Sequence, residues 1–357
     1  MAVEKISVDR FAELSRAFPV IDVRSEAEFL HAHVPGAYNL PLFNNEERKV
    51  VGTIYKQQSR EQAIKKGLEF FGPKMKNMIV FAEKINASLG NENKTFVVHC
   101  WRGGMRSAGV AWLLDLYGFK IYTLVGGYKA YRNWVLKTFE KSWKINIVGG
   151  YTGSGKTVLL EELKKSGEAV IDLEGIAGHR GSAFGRIGLP EQNSVEMFEN
   201  KLATELTEIA KKHPDQHIWM EDESQRIGSV SIPHAMWATM RKSLVYFLEI
   251  PFENRLSYLV ETYGKLDKQE LADATARIQK KLGGLETKTA LQYLENNDFW
   301  GCFDILLKYY DKLYSKSLVA REEYQDDNKI YKKEIISDVV DPVINARKMM
   351  EAYYGRN

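Results

Sequence analysis

Cysteine is nearly missing from this chain: 357 residues contain two, Cys100 and Cys302. Two thiols in unrelated contexts build no disulfide framework, and so sparse a count suits a reducing compartment. No pair or cluster of ligand residues has zinc spacing. Long apolar runs are missing as well. No stretch approaches the roughly 18 residues of a membrane span, and Met1 to Arg16 mixes charges with isolated apolar residues where a signal peptide needs an apolar core. A cytoplasmic protein with no membrane partner is the expectation. Charge of one sign is balanced out, 50 Lys and Arg against 47 Asp and Glu, for a net +3. That sum neither demands nor excludes nucleic acid, because a local patch matters more. Internal repeats and low-complexity linkers are also absent. What remains is an ordinary soluble composition, 44% hydrophobic and 27% charged, in a chain long enough for two domains at about 100–200 residues each.

The first part alternates strand and helix patterns. Val20 to Val23, Phe96 to Val98 and Ile121 to Val125 read as strands; Ser107 to Tyr117 reads as a helix with Val110, Leu113, Leu114 and Tyr117 on one side. This alternation predicts an α/β fold with a parallel sheet. A second cycle begins at Lys144 to Val148, with further strands expected at Ala169 to Leu173, Ile218 to Met220 and Leu244 to Ile250. After Pro251 the pattern is mainly helical to the end, with Lys268 to Lys281 stopped by Gly283 and Gly284. The boundary falls in the helix-like stretch Tyr131 to Ser142, giving domains at 1–137 and 138–357.

The segment His99-Cys100-Trp101-Arg102-Gly103-Gly104-Met105-Arg106-Ser107 places a cysteine between a buried strand and the start of a helix. Backbone N–H groups and the helix N-terminus then face the sulfur and favour its thiolate. Arg102 and Arg106 add positive charge, and Arg106 can fork onto an oxyanion. The bland alternative is a small buried hydrophobe; the Cys-x5-Arg-Ser spacing in strand–helix context points to a nucleophile. The loop resembles the active-site loop of the rhodanese superfamily. Ile21-Asp22-Val23-Arg24 with Glu28-Phe29, then His33 to Ala37, and Leu124 to Tyr128 match other segments of that family. Asp22 and Arg24 read as a structural ion pair. Cys-x5-Arg also describes cysteine phosphatases, so the spacing alone leaves sulfur transfer and phosphoester hydrolysis both open. A loop of this size implies a larger anion than bare sulfane sulfur.

Gly150-Tyr151-Thr152-Gly153-Ser154-Gly155-Lys156-Thr157 fits the phosphate-binding P-loop without departure, after an apolar strand and before a helix. Gly150, Gly153, Ser154 and Gly155 supply the wrapping backbone, Lys156 neutralises a terminal phosphate, and the Thr157 hydroxyl is a candidate Mg2+ ligand. The strand Ile218 to Met220 runs into Glu221-Asp222-Glu223, where a metal-binding acid of such a domain sits. Glu221 and Asp222 are therefore candidate metal or substrate residues, with a solvated acidic strand end as the alternative. His179 and Arg180, in the run Gly178 to Gly185, are candidate phosphate or nucleotide contacts, with a surface loop as the alternative. Lys265, Arg277, Lys280 and Lys281 could form an RNA-facing stripe, a weak signal, since such a charge run is more often a solvated helix face.

A rhodanese-like domain followed by a P-loop NTPase-like α/β domain with a helical C-terminal part resembles one family along the whole chain, the tRNA 2-selenouridine synthases. His99 to Ser107, Gly149 to Thr157, Asp172 to Gly185 and Glu221 to Ser224 carry the likeness. The resemblance implies conversion of 2-thiouridine to 2-selenouridine at the wobble position of tRNAs for lysine, glutamate and glutamine. It implies two co-substrates: geranyl diphosphate, which alkylates the sulfur, and selenophosphate, which supplies selenium through a selenosulfide on Cys100. It also implies selenophosphate synthetase as the supplier of the donor. Two other readings stay open: a rhodanese-fold sulfurtransferase or phosphatase with a nucleotide-binding regulatory domain, and a nucleotide-sensing scaffold. A chemically inert Cys100 would mark the scaffold.

Overall fold

The computed structural model describes residues 3–90, 94–179, 185, 188, 191–322 and 331–355. The chain divides into two compact units, Met1–Thr138 with Glu199–Thr204, and Phe139–Phe198 with Glu205–Asn357.

The first unit holds β1 (Glu4–Ile6), β2 (Val20–Asp22), β3 (Tyr38–Asn39), β4 (Thr95–His99) and β5 (Lys120–Leu124). They lie in the order β1-β5-β4-β2-β3, and every pairing is parallel. Parallel neighbours need crossovers; the helix Met105–Leu116 supplies the one from β4 to β5. Strand β4 is the middle of the sheet. Its Phe96, Val97 and Val98 are fully buried, and each such side chain contributes about 1.5–3 kcal/mol relative to exposure. That core fixes the carboxyl end of β4, the edge of a parallel sheet where ligands bind. In the following helix Val110, Leu113 and Leu114 are buried as their spacing predicts, but Tyr117 is exposed. The helix has ended there, and Gly118 at φ +106° turns the chain.

The second unit holds β6 (Ile145–Gly150), β7 (Ile218–Glu221), β8 (Arg226–Ile227), β9 (Val230–Ser231), β10 (Leu244–Glu249) and β11 (Lys332–Ile336). Four of them form a parallel sheet in the order β11-β10-β6-β7, while β8 and β9 pair antiparallel. One expectation fails here. Ala169 to Leu173 is no strand: Val170 makes a single bridge to Trp219, and a helix, Leu173–Ala177, starts at once because the Asp172 carboxylate caps Gly175 N–H at 2.8 Å. The C-terminal part is mainly helical, as expected, and Lys332–Ile336 adds an edge strand to β10. Its Lys, Lys and Glu residues suit an edge and hide the strand pattern. The helices Phe252–Tyr263, Lys268–Arg277, Gly284–Glu295 and Phe299–Glu322 pack through Leu256, Leu271, Leu294 and Leu307. The expected helix over 268–281 breaks at Ile278, and Gly283 at φ +114° closes the short remainder. No helix among the described residues is long and apolar enough to cross a membrane.

Candidate functional site

In the first unit, β4 delivers Cys100, which is 3% exposed. The loop after it is pinned to the helix Gly127–Phe139: Tyr128 N–H donates to the Cys100 carbonyl at 2.8 Å and Lys129 N–H to the Trp101 carbonyl at 3.0 Å. The approach is so close that only glycine fits. A Cβ on Gly127, at φ +58°, would lie 2.3 Å from the Cys100 carbonyl and 2.4 Å from Gly103 N. Ser107, at the first turn of the next helix, puts Oγ 3.3 Å from Cys100 Sγ and 3.1 Å from the Gly104 carbonyl. Its one proton serves the sulfur when the sulfur is anionic. Burial pushes the Cys100 thiol up, but the Ser107 hydroxyl, the Ser107 N–H, the Arg106 guanidinium and the Gly104 N–H outweigh it and hold the thiol below its ordinary range.

The two loop arginines differ. Arg106 donates to Glu28 at 2.8 Å, and Glu28 also accepts from Ser25 N–H at 3.1 Å, so its carboxylate holds the fork expected for an oxyanion. Arg102 is exposed. Asp22 and Arg24 form a buried bidentate pair at 2.6 Å, and the guanidinium lies 3.7 Å from the Tyr128 ring centre. This pair is a strut for the loop.

A lowered thiol pKa makes a titration prediction. The thiolate persists as pH falls through the ordinary thiol range, and reactivity is lost only below the shifted value. Alkylation of Cys100 by iodoacetamide, followed by peptide mass, should therefore inflect below that range, and Ser107→Ala should move the inflection up. Burial and the Asp298 charge push Cys302 up to about 12, so it stays silent in the same experiment. A Cys100 inflection at or above the ordinary thiol range contradicts the geometry.

In the second unit, β6 runs into the P-loop. Gly153 is at φ +80° and Gly155 at φ +74°, and Gly155 caps the helix Lys156–Lys165. A Cβ on Gly153 would meet the Arg255 carbonyl and Leu259 at 3.0 Å. Arg255 braces the loop from the helix Phe252–Tyr263, donating to the Thr152 carbonyl at 2.9 Å and bidentately to Asp311. Lys156 Nζ rests on the Gly150 carbonyl at 3.0 Å, and the buried Ser154 Oγ has no hydrogen-bond partner among the described residues. Gly150 N–H donates to the Tyr314 hydroxyl at 3.3 Å.

Thr157 Oγ1 lies 3.3 Å from Glu221 and 3.4 Å from Glu174, and Glu174, Glu221 and Glu223 can bring carboxylate oxygens within 4.8 Å of one another. Burial raises all three above the usual carboxylate range; the Glu221 charge pushes Glu174 and Glu223 further up, Asp172 and Asp222 push Glu221 up, and Lys156 offsets part of this. Three crowded oxygen donors beside a hydroxyl, with Glu221 Oε2 buried and unpartnered among the described residues, fit a hard divalent cation.

Asp222, the other candidate at this strand end, does not join this cluster. Successive residues at a strand end face opposite ways, so Glu221 and Glu223 share a side and Asp222 turns to the other. There it pairs with buried Arg321 at 2.6 Å and accepts from Tyr314 at 2.8 Å. Removing one partner of such a buried pair costs about 3–5 kcal/mol. Asp222→Ala should lower the second unit's stability by that amount, read from its denaturant midpoint; an unchanged midpoint contradicts the strut.

His179 is buried beyond the helix Leu173–Ala177, its N–H on the Glu174 carbonyl at 3.0 Å. Its ring faces Gly228, where a Cβ would approach Cδ2 to 2.6 Å. Arg180 and the residues 181–184 lie outside the described residues. Lys265, Arg277, Lys280 and Lys281 are exposed, but Asp267, Gln269, Glu270 and Asp273 are interleaved, so the face carries mixed charge. Sequence reading missed Glu174, Arg255, Tyr314 and Arg321. The period-2 pairing of Glu221 with Glu223 was the one local signal available.

Comparison with known proteins adds the following. Residues 143–341 match the family profile described as tRNA 2-selenouridine synthase AAA domain, and residues 7–133 match the rhodanese-like domain. A tRNA 2-selenouridine synthase of Bdellovibrio bacteriovorus is 35% identical, covering 90% of this chain and 94% of its own. One from Nitrosomonas eutropha is 33% identical, covering 85% and 89%. Among solved structures, the N-terminal domain of an ATP/GTP binding protein from Clostridium difficile 630 is 41% identical over 38% of this chain and 99% of its own, with a TM-score of 0.33.

Proposed function

The chain belongs to the tRNA 2-selenouridine synthase family, and from that premise we propose that it converts wobble 2-thiouridine of lysine, glutamate and glutamine tRNAs to 2-selenouridine in two steps. The observation that carries this reading is the presence in one chain of two separate anion cradles, one around a thiolate and one a P-loop.

In the first step the thiocarbonyl sulfur of the base attacks C1 of geranyl diphosphate, the C–O bond breaks and pyrophosphate leaves. The P-loop amides and Lys156 stabilise the departing charge. Alkylation is chemically necessary because a thiolate-like sulfur on C2 leaves poorly. Mg2+ would be held by Thr157, Glu221, Glu174 and Glu223, and when bound it supplies charge neutralisation for the diphosphate.

In the second step Cys100 opens selenophosphate. Attack on selenium forms the S–Se bond of a selenosulfide and breaks Se–P, with the electron pair leaving on phosphorus as phosphite. Attack on phosphorus forms S–P and releases hydroselenide, which adds to C2 and expels geranyl thiolate; water then frees phosphate from Cys100. The second route needs no redox change, and that chemistry favours it. Selenophosphate synthetase is the corresponding donor source, and the setting is the cytoplasm.

The test is to treat a 2-thiouridine tRNA with the pure protein, geranyl diphosphate and selenophosphate and to identify its nucleosides by mass. S-geranyl-2-thiouridine with the first reagent alone, then 2-selenouridine with both, is the expected result. Release of phosphate from a generic aryl phosphate, with no change to the tRNA, would sink the proposal in favour of a phosphatase.

A further inference from the structure

We propose that Trp101 is the stacking platform on which the target uridine rests while C2 is exchanged. This rests on the reading of Cys100 above and names the residue that positions the base beside it.

The observation is an aromatic column. Trp134, Tyr131 and Tyr128 stand three residues apart on the helix Gly127–Phe139, a spacing that puts them on one face. Their ring centres are 5.8 Å and 5.9 Å apart, and the column continues from Tyr128 to Trp101 at 5.8 Å with planes tilted by 38°. The inner members are buried, Tyr131 at 2% and Tyr128 at 0% exposure, whereas Trp101 is 37% exposed. The column thus runs through buried Tyr131 and Tyr128 to the cysteine loop and ends there in a half-exposed indole.

The inner side of that indole is fixed. The Arg24 guanidinium, held by Asp22, lies 6.0 Å from the Trp101 ring centre and 3.7 Å from that of Tyr128. The Trp101 and Cys100 carbonyls are both tied to the start of the same helix. Indole and thiol therefore sit on adjacent residues of a pinned loop, about 3.8 Å apart at Cα. A tryptophan serving only the core would be covered. One serving only solubility would not be a large aromatic. An unstacked base offers two apolar faces, and aromatic stacking recovers part of what leaving the anticodon stack costs. The half-exposed end of the column gives the base that surface on the residue that follows the reacting cysteine.

The experiment uses the full chain with Trp101→Leu and Trp101→Phe. The substrate is an anticodon stem-loop RNA carrying S-geranyl-2-thiouridine, with selenophosphate as donor. The control is formation of the covalent adduct on Cys100 from selenophosphate without RNA. Trp101→Leu should raise KM for the RNA about 10- to 100-fold, the range alanine substitution of a stacking aromatic produces. It should leave the adduct rate within about two-fold, and Trp101→Phe should restore most of the loss. A wild-type KM in Trp101→Leu overturns the proposal. So does an equal loss of adduct formation, which would make Trp101 a loop support. A wild-type protein that forms no adduct at all overturns the Cys100 reading itself, and the platform with it.

Discussion

Cys100→Ala should abolish selenium insertion while S-geranylated tRNA still accumulates. The sulfur is the one nucleophile in the first cradle, and losing a covalent nucleophile from a preorganised site costs on the order of 10^4-fold or more in rate. The substitution removes one buried atom at a position already 3% exposed and leaves the loop's backbone ties untouched, so the first unit should remain folded. In the proposed scheme geranylation draws on the other cradle and needs no thiol. The nucleoside profile therefore discriminates sharply: the alkylated intermediate rises and the selenated product vanishes. Selenation at the wild-type rate by Cys100→Ala would remove the thiol from the mechanism. Loss of both nucleosides, with normal folding, would mean that Cys100 serves the first step too.

The second large effect is the mirror image. Lys156→Ala should suppress geranylation by about 10^2–10^3-fold, the scale of losing one preorganised charge donor at a leaving group, while adduct formation on Cys100 from selenophosphate continues. Lys156 also offsets the repulsion among Glu174, Glu221 and Glu223. Its removal leaves that cluster more crowded, so the variant should depend more steeply on added Mg2+. Synthetic S-geranylated RNA bypasses the missing step and should be selenated by Lys156→Ala at close to the wild-type rate. If it is not, the P-loop has a further role in the second step.

Both cradles were legible in the sequence because each is a contiguous run in which the residues needed by the chemistry are neighbours along the chain. The Cys100 loop and the P-loop each follow a short apolar strand and precede a helix, and that context can be read locally. The acid cluster is different. Glu174 comes from a short helix, Glu221 and Glu223 from the end of β7, and Thr157 from the P-loop helix. Only packing brings them together. The strand alternation that separates Asp222 from Glu221 was present in the sequence, but its meaning depends on which side of β7 faces the P-loop. Tyr314 and Arg255 hold the loop and Arg321 holds Asp222 from far along the chain, and nothing local marks them. The edge strand Lys332–Ile336 was hidden for a related reason: an edge tolerates the charges that a central strand such as β4 excludes. Glu28 shows the same limit at the first cradle. Its place in the rhodanese-like motif was visible, while its hold on Arg106 was not.

The claim that Cys100 opens the selenium donor is tested most directly by mass spectrometry of the protein alone. Incubated with selenophosphate and no tRNA, then digested, the peptide carrying Cys100 should gain a covalent adduct, and the peptide carrying Cys302 should not. The added mass also reports whether selenium or a phosphoryl group was captured. A Cys100 peptide that stays unmodified while the same sample, given S-geranylated tRNA, makes 2-selenouridine would contradict the account.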